Sequence, residues 1–279
     1  MTQIPLIALN NGLQIPQLGL GVWQTKDGTE VITAIEAAID SGYRLFDTAA
    51  MYGNEDGVGQ AVRTSEVPRD ELFITTKLWN SDHGHDKTLR AFDASLRRLG
   101  MDYVDLYLIH WPVPEQDKYV ETWKAMEEIY ASGRAKAIGV SNFHIDHLDK
   151  LLASATVTPA VNQIELHPRL QQREIRDYCA DKGIQIESWS PIGGTGGNLL
   201  EDVTIRNIAD KHKRSPAQIV IRWHIQLRLI VIPKSVHSER IKENADVFGF
   251  ELDNDDMAKI SVLNSGTRRG PDPATMNRH

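Results

Sequence analysis

Residues 72–110, LFITTKLWNSDHGHDKTLRAFDASLRRLGMDYVDLYLIH, contain the unit that decides the fold. An apolar run of strand length stands at each end of this stretch, at 72–77 and at 104–110. Between the two runs, apolar residues recur at the spacing of one helix face: Leu89, Phe92, Leu96 and Leu99. Gly100 follows as a residue suited to end that helix. The stretch therefore predicts a strand, a covering helix and a second parallel strand.

The same alternation of strands and helices recurs along the chain. Six further apolar runs have strand length: 18–22, 44–47, 135–140, 161–165, 184–189 and 230–233. Helix-length segments lie between them, and in one of these Ser215 is placed as an N-cap before Pro216. Eight strand–helix units in 279 residues favour an α/β fold with a closed (β/α)8 TIM barrel over an open doubly wound sheet.

The two ends of the chain add to this prediction. The opening segment LIALNNGLQIP, at 6–16, predicts a β-hairpin that would cover the bottom of the barrel. The closing segment, 265–279, is polar and contains proline, and it is either disordered or folded over the active-site mouth. No change of composition divides the chain, so we expect residues 1–279 to form a single domain.

Composition restricts the class of function. The net charge is −7, from 31 basic and 38 acidic residues, which gives a nucleic-acid partner no general electrostatic support. The single cysteine, Cys179, excludes an intrachain disulfide and is typical of a reducing compartment. The sequence lacks a signal-peptide pattern, and no uncharged apolar stretch approaches membrane-spanning length. We therefore expect a cytoplasmic protein without a membrane partner.

Four polar residues stand where predicted strands end. Asp47, Lys77 and His110 close the second, third and fourth barrel strands, and Tyr52 lies in the loop after Asp47. Barrel enzymes place catalysis at this end of the strands, where neighbouring strand ends converge. Lys77 alone could reach solvent, and Asp47 alone could cap a helix. The four together favour a catalytic interpretation.

The chemistry of this set points to a carbonyl. A free tyrosine has a pKa of about 10 and is a poor acid at neutral pH. An ammonium group beside it stabilises the phenolate and lowers that pKa, while a carboxylate keeps the ammonium charged. We therefore expect Tyr52 to be the general acid, Lys77 to tune it and Asp47 to anchor Lys77. His110 would orient or polarise a substrate carbonyl.

A second cluster predicts a phosphate site. Neither 19–21 nor 193–197, although rich in glycine, matches the G-x-G-x-x-G dinucleotide fingerprint. The segment IPKSVHSERIKEN, at 232–244, instead places two cations and a hydroxyl at a predicted helix start: Lys234, Arg240 and Ser235. Two cations beside one helix start suit a ribose 2′-phosphate.

Three long motifs carry a family resemblance. GYRLFDTAAMYGNEDGVG at 42–59, KAIGVSNF at 136–143 and IPKSVHSERIKENADV at 232–247 resemble the signatures of the aldo-keto reductase superfamily. Other segments, such as PAVNQIELHP and IESWSPIG, resemble its bacterial 2,5-diketo-D-gluconate reductases. The resemblance covers nearly the whole chain. It implies a (β/α)8 barrel that binds NADPH/NADP+ in an extended pose without a Rossmann fold, and a catalytic tetrad at Asp47, Tyr52, Lys77 and His110.

The resemblance also implies the residues around the cofactor and the substrate. Those expected near the nicotinamide are Ser141, Asn142, Gln163, Trp189 and Ser190. Those expected at the 2′-phosphate and adenine are Lys234, Ser235, Val236, Arg240, Glu243 and Asn244. Beside the tetrad, those expected to line the substrate cavity are Trp23, Met51, Trp79 and Trp111. Trp189 stands where the family often has a tyrosine that stacks on the nicotinamide.

The resulting hypothesis is an NADPH-dependent carbonyl reductase that acts as a monomer on small aldehydes, ketones, dicarbonyls or keto-sugars. Two alternatives stay open: an aldolase with Lys77 as a Schiff-base nucleophile, and a cofactor-binding protein without turnover. Histidines at 83–85 and 144–147 lack completing ligands at a recognisable spacing, so no metal site is expected. The acidic run 253–256 is expected to cap the helix that follows it.

Overall fold

The computed structural model describes residues 4–194 and 196–278, which form a hairpin followed by an eight-stranded parallel sheet. The hairpin consists of β1 (Leu6–Ala8) and β2 (Gln14–Pro16). The strands of the sheet are β3 (Gly19–Gly21), β4 (Leu45–Asp47), β5 (Phe73–Leu78), β6 (Val104–Ile109), β7 (Ala135–Ser141), β8 (Val161–Glu165), β9 (Gln185–Trp189) and β10 (Ile230–Val231). Each lies within two residues of its predicted bounds because strands buried on both faces are continuous apolar runs.

The sheet closes on itself. Its strands follow chain order from β3 to β10, and each pairs in parallel with the next. Leu18, just before β3, bridges to Val231 in parallel. The backbone N–H of Val231 donates to Gln17 O at 3.0 Å, and that of Gly21 donates to Pro233 O at 3.2 Å. These bonds join the last strand to the first, so the predicted (β/α)8 barrel is confirmed.

Helices cover the outside of the barrel. They are α1 (Thr29–Asp40), α2 (Glu55–Thr64), α3 (His85–Leu99), α4 (Tyr119–Ala131), α5 (Ile145–Leu152), α6 (Arg173–Asp181), α7 (Val203–His212), α8 (Pro216–Gln226), α9 (Ser238–Ala245) and α10 (Asn254–Val262). Gly100 ends α3 in the left-handed conformation, and Ser215 caps α8 by accepting from Gln218 N. Asp253 caps α10 in the same way, as expected. Among the described residues, no helix has the length and apolar character needed to cross a membrane.

The hairpin closes the amino end of the barrel, as predicted. Its turn is fixed by side-chain amides, since Asn10 Nδ2 donates to Pro159 O at 3.0 Å and Asn11 Nδ2 to Lys136 O at 2.9 Å. Its side chains Leu9 and Ile15 enter the barrel interior and pack in one cluster with residues on or next to the strands: Leu45, Phe73, Leu106, Leu108, Ala137, Ala160, Val161, Ile230 and Ile232. This end of the barrel is therefore apolar and sealed.

Candidate active site

The carboxyl ends of β4, β5 and β6 bring the four predicted catalytic residues together. Lys77 Nζ donates to Asp47 Oδ1 at 2.6 Å and to the Tyr52 hydroxyl at 3.3 Å. It also donates to Thr48 O at 2.9 Å. The Tyr52 and His110 rings meet edge to face with their centroids 5.6 Å apart. A phenol, an ammonium, a carboxylate and an imidazole thus share one buried site.

The sequence also allowed a non-catalytic explanation for two of these residues: solvent exposure for Lys77 and helix capping for Asp47. The structure excludes both. Lys77 does not reach solvent, since its side chain is 0% exposed. Asp47 accepts hydrogen bonds from Lys77 and, at 2.8 Å, from Gln163 Nε2, so its carboxylate serves the barrel interior rather than a helix start. The side chains of both residues face the barrel interior, where their ion pair has to replace the lost hydration.

Lys77 is charged in this environment. Burial lowers its pKa, but Asp47 and Tyr52 raise it by more, so the pKa lies above its ordinary value. Its nitrogen donates to a carboxylate, a carbonyl and a hydroxyl, which are partners that suit the three donors of an ammonium. The site therefore contains a fixed positive charge beside the phenol.

The pKa of Tyr52 departs from the prediction made from the sequence. Burial raises this pKa, Lys77 lowers it and Asp47 raises it again, and the net result lies above the ordinary value rather than near neutrality. The physical reason is that a phenolate loses its hydration in this buried site, and one ammonium does not restore it. Tyr52 is consequently protonated at neutral pH, and Lys77 makes it a stronger acid than burial alone would allow.

His110 is neutral. Burial and the neighbouring charge of Lys77 lower its pKa well below the ordinary value. A neutral imidazole offers one donor and one acceptor, so it can hydrogen-bond a substrate oxygen without adding a charge. Its ring is held between Trp79, at a centroid distance of 5.2 Å, and Trp111, which stacks at 6.4 Å.

The predicted substrate-cavity residues fall into two groups. Trp79 and Trp111 pack around His110, and Trp111 also meets Trp189 with ring centroids 6.5 Å apart. Trp23 and Met51 instead lie at the surface, with 47% and 39% of their area exposed. Trp23 still belongs to this end of the barrel because the preceding Val22 N donates to Asp47 O. The arrangement is an aromatic wall with two apolar side chains at its rim.

Four of the five residues expected at the nicotinamide, all but Ser190, form one hydrogen-bonded group at the ends of β7, β8 and β9. Trp189 Nε1 donates to Asn142 Oδ1 at 2.8 Å, and Asn142 Nδ2 donates to Ser141 Oγ at 3.0 Å. Ser141 Oγ donates to Gln163 O at 2.9 Å. Asn142 and Ser190 both have left-handed backbones, with φ of 64° and 48°. Such strained positions cluster at functional sites.

The predicted phosphate site follows β10 at the same end of the barrel. Lys234 and Arg240 are exposed, and α9 begins between them at Ser238. Ser235 is buried, and its Oγ accepts from His237 N at 3.1 Å. The other three residues predicted here differ in exposure: Val236 half-buried, Glu243 exposed and Asn244 buried. Two exposed cations at a helix start form a surface suited to an anion.

Comparison with known proteins decides the family. The model of the aldo/keto reductase family matches residues 17–265, which is most of the chain. The chain belongs to this family. Membership makes it an oxidoreductase that acts on carbonyl groups, and it agrees with the barrel and with the tetrad geometry.

Individual relatives of this aldo/keto reductase match over nearly their whole length. Glyoxal reductase of Bacillus subtilis (strain 168) is 51% identical over 267 residues, which cover 96% of this chain and 95% of the relative. Methylglyoxal reductase DkgA of Escherichia coli (strain K12) is 52% identical over 273 residues and 98% of both chains. A crystal structure of a Gox0644 mutant in complex with NADPH is 49% identical, with a TM-score of 0.93 and 98% of both chains covered. None of these three is named a 2,5-diketo-D-gluconate reductase, so that subgroup stays a prediction.

The C-terminal segment of this aldo/keto reductase, as far as residue 278, is ordered over the barrel mouth. Arg269 N and Gly270 N donate to the carboxylate of Glu165 at 2.6 and 2.9 Å. Asn80 Nδ2, beyond β5, donates to Arg278 O at 2.7 Å. A Cβ atom on Gly270 would lie 2.4 Å from the Trp189 ring, so only glycine allows this approach. Of the two possibilities left by the sequence, the folded one is correct.

Two interior carboxylates, Glu165 and Glu187, were not predicted from the sequence as part of the site. Glu165 receives the C-terminal segment; burial raises its pKa, but bonds from His167 and two backbone amides lower it by more. Glu187, on β9, lies in the barrel interior beside Gln163. The signal was available, because both glutamates interrupt apolar strand runs in ELHP and IESW.

One histidine cluster of this reductase has ligand-forming groups close together. Single ligand atoms of His144, Asp146 and His147 lie within 4.8 Å of one another. However, His147 Nδ1 accepts from His144 N at 3.1 Å, which caps α5. A neutral ring with this bond has its proton on Nε2, so neither nitrogen is open to a metal ion.

Proposed function

We propose that this aldo/keto reductase uses NADPH to reduce small carbonyl compounds, with Tyr52 as the general acid. The observation that carries the proposal is the 3.3 Å hydrogen bond between the Tyr52 hydroxyl and the ammonium of Lys77, which Asp47 holds in place. A protonated phenol that faces a fixed positive charge can give up its proton and leave a stabilised phenolate. Small aldehydes, ketones, dicarbonyls and keto-sugars are the substrate classes.

The residues at the barrel mouth fit the cofactor at both of its ends. Asn142, Ser141 and Gln163 offer amide and hydroxyl groups, and Trp189 offers an aromatic face, to a nicotinamide ring. Lys234, Ser235 and Arg240 offer two cations and a hydroxyl to a 2′-phosphate. The related structure with bound NADPH supports the same choice. When bound, NADPH supplies a hydride, which is the electron pair that the carbonyl carbon needs.

The chain's own residues supply the proton and the orientation. His110, neutral and held between two tryptophans, donates a hydrogen bond that aims the carbonyl oxygen at Tyr52. The Tyr52 O–H bond breaks as the oxygen takes the proton, so hydride and proton together convert C=O into CH–OH. Lys77 stabilises the phenolate until a proton from solvent restores it. The reverse oxidation requires Tyr52 as a base and therefore runs at higher pH.

The site supports small dicarbonyls as the first substrates to test. Trp79 and Trp111 form an apolar wall, and the C-terminal segment covers the mouth, so the space suits compact molecules. The names of two relatives, a glyoxal reductase and a methylglyoxal reductase, support the same substrate class. The aldolase alternative is less well supported, because a nucleophilic amine has to be neutral and Asp47 raises the pKa of Lys77.

The test is Tyr52→Phe. We expect kcat for methylglyoxal reduction to fall by about 10²–10⁴-fold or more, because only the proton donor is removed. NADPH binding, followed by fluorescence titration, and the melting temperature should stay unchanged. Tyr130→Phe is the matched control, since this half-buried tyrosine is in the last turn of α4, close to the start of β7. Wild-type turnover by a folded, NADPH-binding Tyr52→Phe enzyme would overturn the proposal.

A further inference from the structure

Glu187 is a buried carboxyl group that the proposed reaction does not use. It is the third residue of β9 and is 0% exposed. Its Cα pairs with Gln163 on β8 and with Ile230 on β10. Partners in a parallel ladder direct their side chains to the same face, so Glu187 shares the barrel interior with Gln163. This places a carboxyl group in the barrel interior, near enough to Asp47 and Lys77 to interact with their charges.

The group has no ordinary partner. Within the described part of the chain, neither Glu187 Oε1 nor Oε2 has a partner with hydrogen-bond geometry, although the Gln163 amide lies near enough to favour the charged form. An unpaired ionised carboxylate is costly in a protein interior, and here Asp47 adds a like charge nearby. Burial and Asp47 raise the pKa of Glu187 to about 8, against the opposing effects of Gln163 and Lys77. Glu187 is therefore uncharged at neutral pH.

A short series of contacts connects Glu187 with the proton donor. Gln163, its neighbour in the ladder, donates through Nε2 to Asp47 Oδ2 at 2.8 Å. The other oxygen of Asp47 receives Lys77 Nζ at 2.6 Å, and Lys77 contacts the Tyr52 hydroxyl. A negative charge on Glu187 raises the pKa of both Tyr52 and Lys77. The two ends of this series are therefore linked electrostatically.

The groups that face Glu187 can be named strand by strand. The titratable ones are Asp47 on β4, Lys77 on β5 and Tyr52 in the segment after β4. Gln163 on β8 is polar but does not titrate. The interior residues of the remaining strands near this level are apolar or lack a side chain: Gly21, Leu108, Gly139 and Ile230. No cation other than Lys77 is therefore available here, among the described residues, to neutralise a second carboxylate.

We propose that Glu187 is a positioning residue of the tetrad, whose charge state, acting electrostatically on the Asp47–Lys77 pair, sets how tightly Tyr52 holds its proton. Uncharged Glu187 lets Tyr52 release its proton more easily, which favours carbonyl reduction at neutral pH. Ionised Glu187 places a second negative charge under the Asp47–Lys77 pair, and Tyr52 then stays protonated to higher pH. The catalytic consequence rests on the proposed function, whereas the electrostatic link does not.

The test compares the wild type with Glu187→Gln, which keeps the shape and removes the charge. Tyrosine is isotope-labelled at Cζ, and the Tyr52 signal is assigned by its loss in Tyr52→Phe. We expect the pKa of Tyr52, read from an NMR titration, to fall in Glu187→Gln, because the neutral amide removes a nearby negative charge. The alkaline loss of carbonyl reduction should move to lower pH by the same amount. An unchanged Tyr52 titration would overturn the inference.

A second buried carboxylate provides the control. Glu55 on α2 is also buried, but it accepts from Thr76 Oγ1 at 2.6 Å and pairs with Arg98 at 2.6 Å. Glu55→Gln should leave the Tyr52 titration unchanged. An equal shift of the Tyr52 pKa in Glu55→Gln would show a general loss of structure and would contradict the inference. If the Tyr52 signal shifts as expected but Tyr52→Phe keeps its turnover, the electrostatic link stands and the proposed function is wrong.

A further measurement uses the wild-type protein and needs no variant. In wild-type protein labelled at the glutamate Cδ, one carboxyl signal should titrate at about 8, well above the others. This signal would show directly that an interior glutamate is uncharged at neutral pH. The absence of any glutamate that titrates above neutral pH would contradict the inference.

Discussion

The two ends of the barrel are built from the same strands but differ in chemistry. At the amino end, the hairpin inserts Leu9 and Ile15 among apolar strand residues, and amide bonds from Asn10 and Asn11 fix its turn. At the carboxyl end, the same strands bury charged and polar groups: Asp47, Lys77, His110, Gln163 and Glu187. One end removes apolar surface from water, and the other removes charges from water.

This contrast shows how the site is held. Burial of apolar surface stabilises the fold by about 25 cal/mol per Å². Desolvation of an ion pair such as Asp47–Lys77 costs several kcal/mol per ion and is only partly returned by the pairing. Because strands β4 and β5 run through both layers, the apolar end holds the charges in positions that would otherwise relax toward solvent. Stability and reactivity are thus separated along the barrel axis.

The largest combined loss of stability and activity is expected for Lys77→Met. This change leaves Asp47 as an uncompensated buried charge, which costs about 3–5 kcal/mol of unfolding free energy. It also removes the charge that stabilises the Tyr52 phenolate, so reduction should fall by about 10²-fold or more. Denaturant unfolding and steady-state kinetics measure the two losses.

The double variant Asp47→Leu with Lys77→Met sharpens that result. Replacing both members of a buried pair with apolar residues is often neutral or stabilising. We expect the unfolding free energy to return to within about 1 kcal/mol of the wild type, while the activity stays lost. A double variant as unstable as Lys77→Met would show that the carboxyl end stabilises the fold after all.

A substitution at the amino end of the barrel should lower stability and leave activity nearly unchanged. Ile15→Ala leaves a cavity in the apolar cluster and should cost about 2–5 kcal/mol of unfolding free energy. Since Ile15 lies at the sealed end, kcat at a temperature where the variant is folded should change by less than about twofold. A fall in kcat that parallels the fall in stability would mean that the two ends are not separable.

The smallest effect on the reduction rate is expected from a change of pH. Reduction needs protonated Tyr52, whose pKa is raised by burial, so no alkaline loss is expected below about pH 10. It also needs neutral His110, whose pKa burial lowers, so no acid loss is expected near about pH 6.5. Between these limits, initial rates at saturating substrate should therefore change little, with a modest decline as Glu187 ionises at about pH 8. A break near the ordinary histidine pKa would show that His110 is hydrated rather than buried.

Much of the architecture could be read from the chain. The run 104–110 predicts β6 to within one residue, and the periodicity before Gly100 predicts α3, because apolar spacing is a local property. The position of Asp47, Lys77 and His110 at strand ends was enough to place them at one end of a barrel. The net shift of the Tyr52 pKa was predicted with the wrong sign, since the degree of burial is not a local property.

The sequence by itself determined the order of strands and helices, the closed barrel and the end at which the polar residues gather. Only the tertiary structure decided which of those groups lose water and which find partners. Asp47 is held by Gln163, 116 positions away, whereas Glu187 beside Gln163 makes no hydrogen bond in the described part of the chain. Apolar periodicity is written along the chain, but desolvation and pairing depend on groups that meet only after folding.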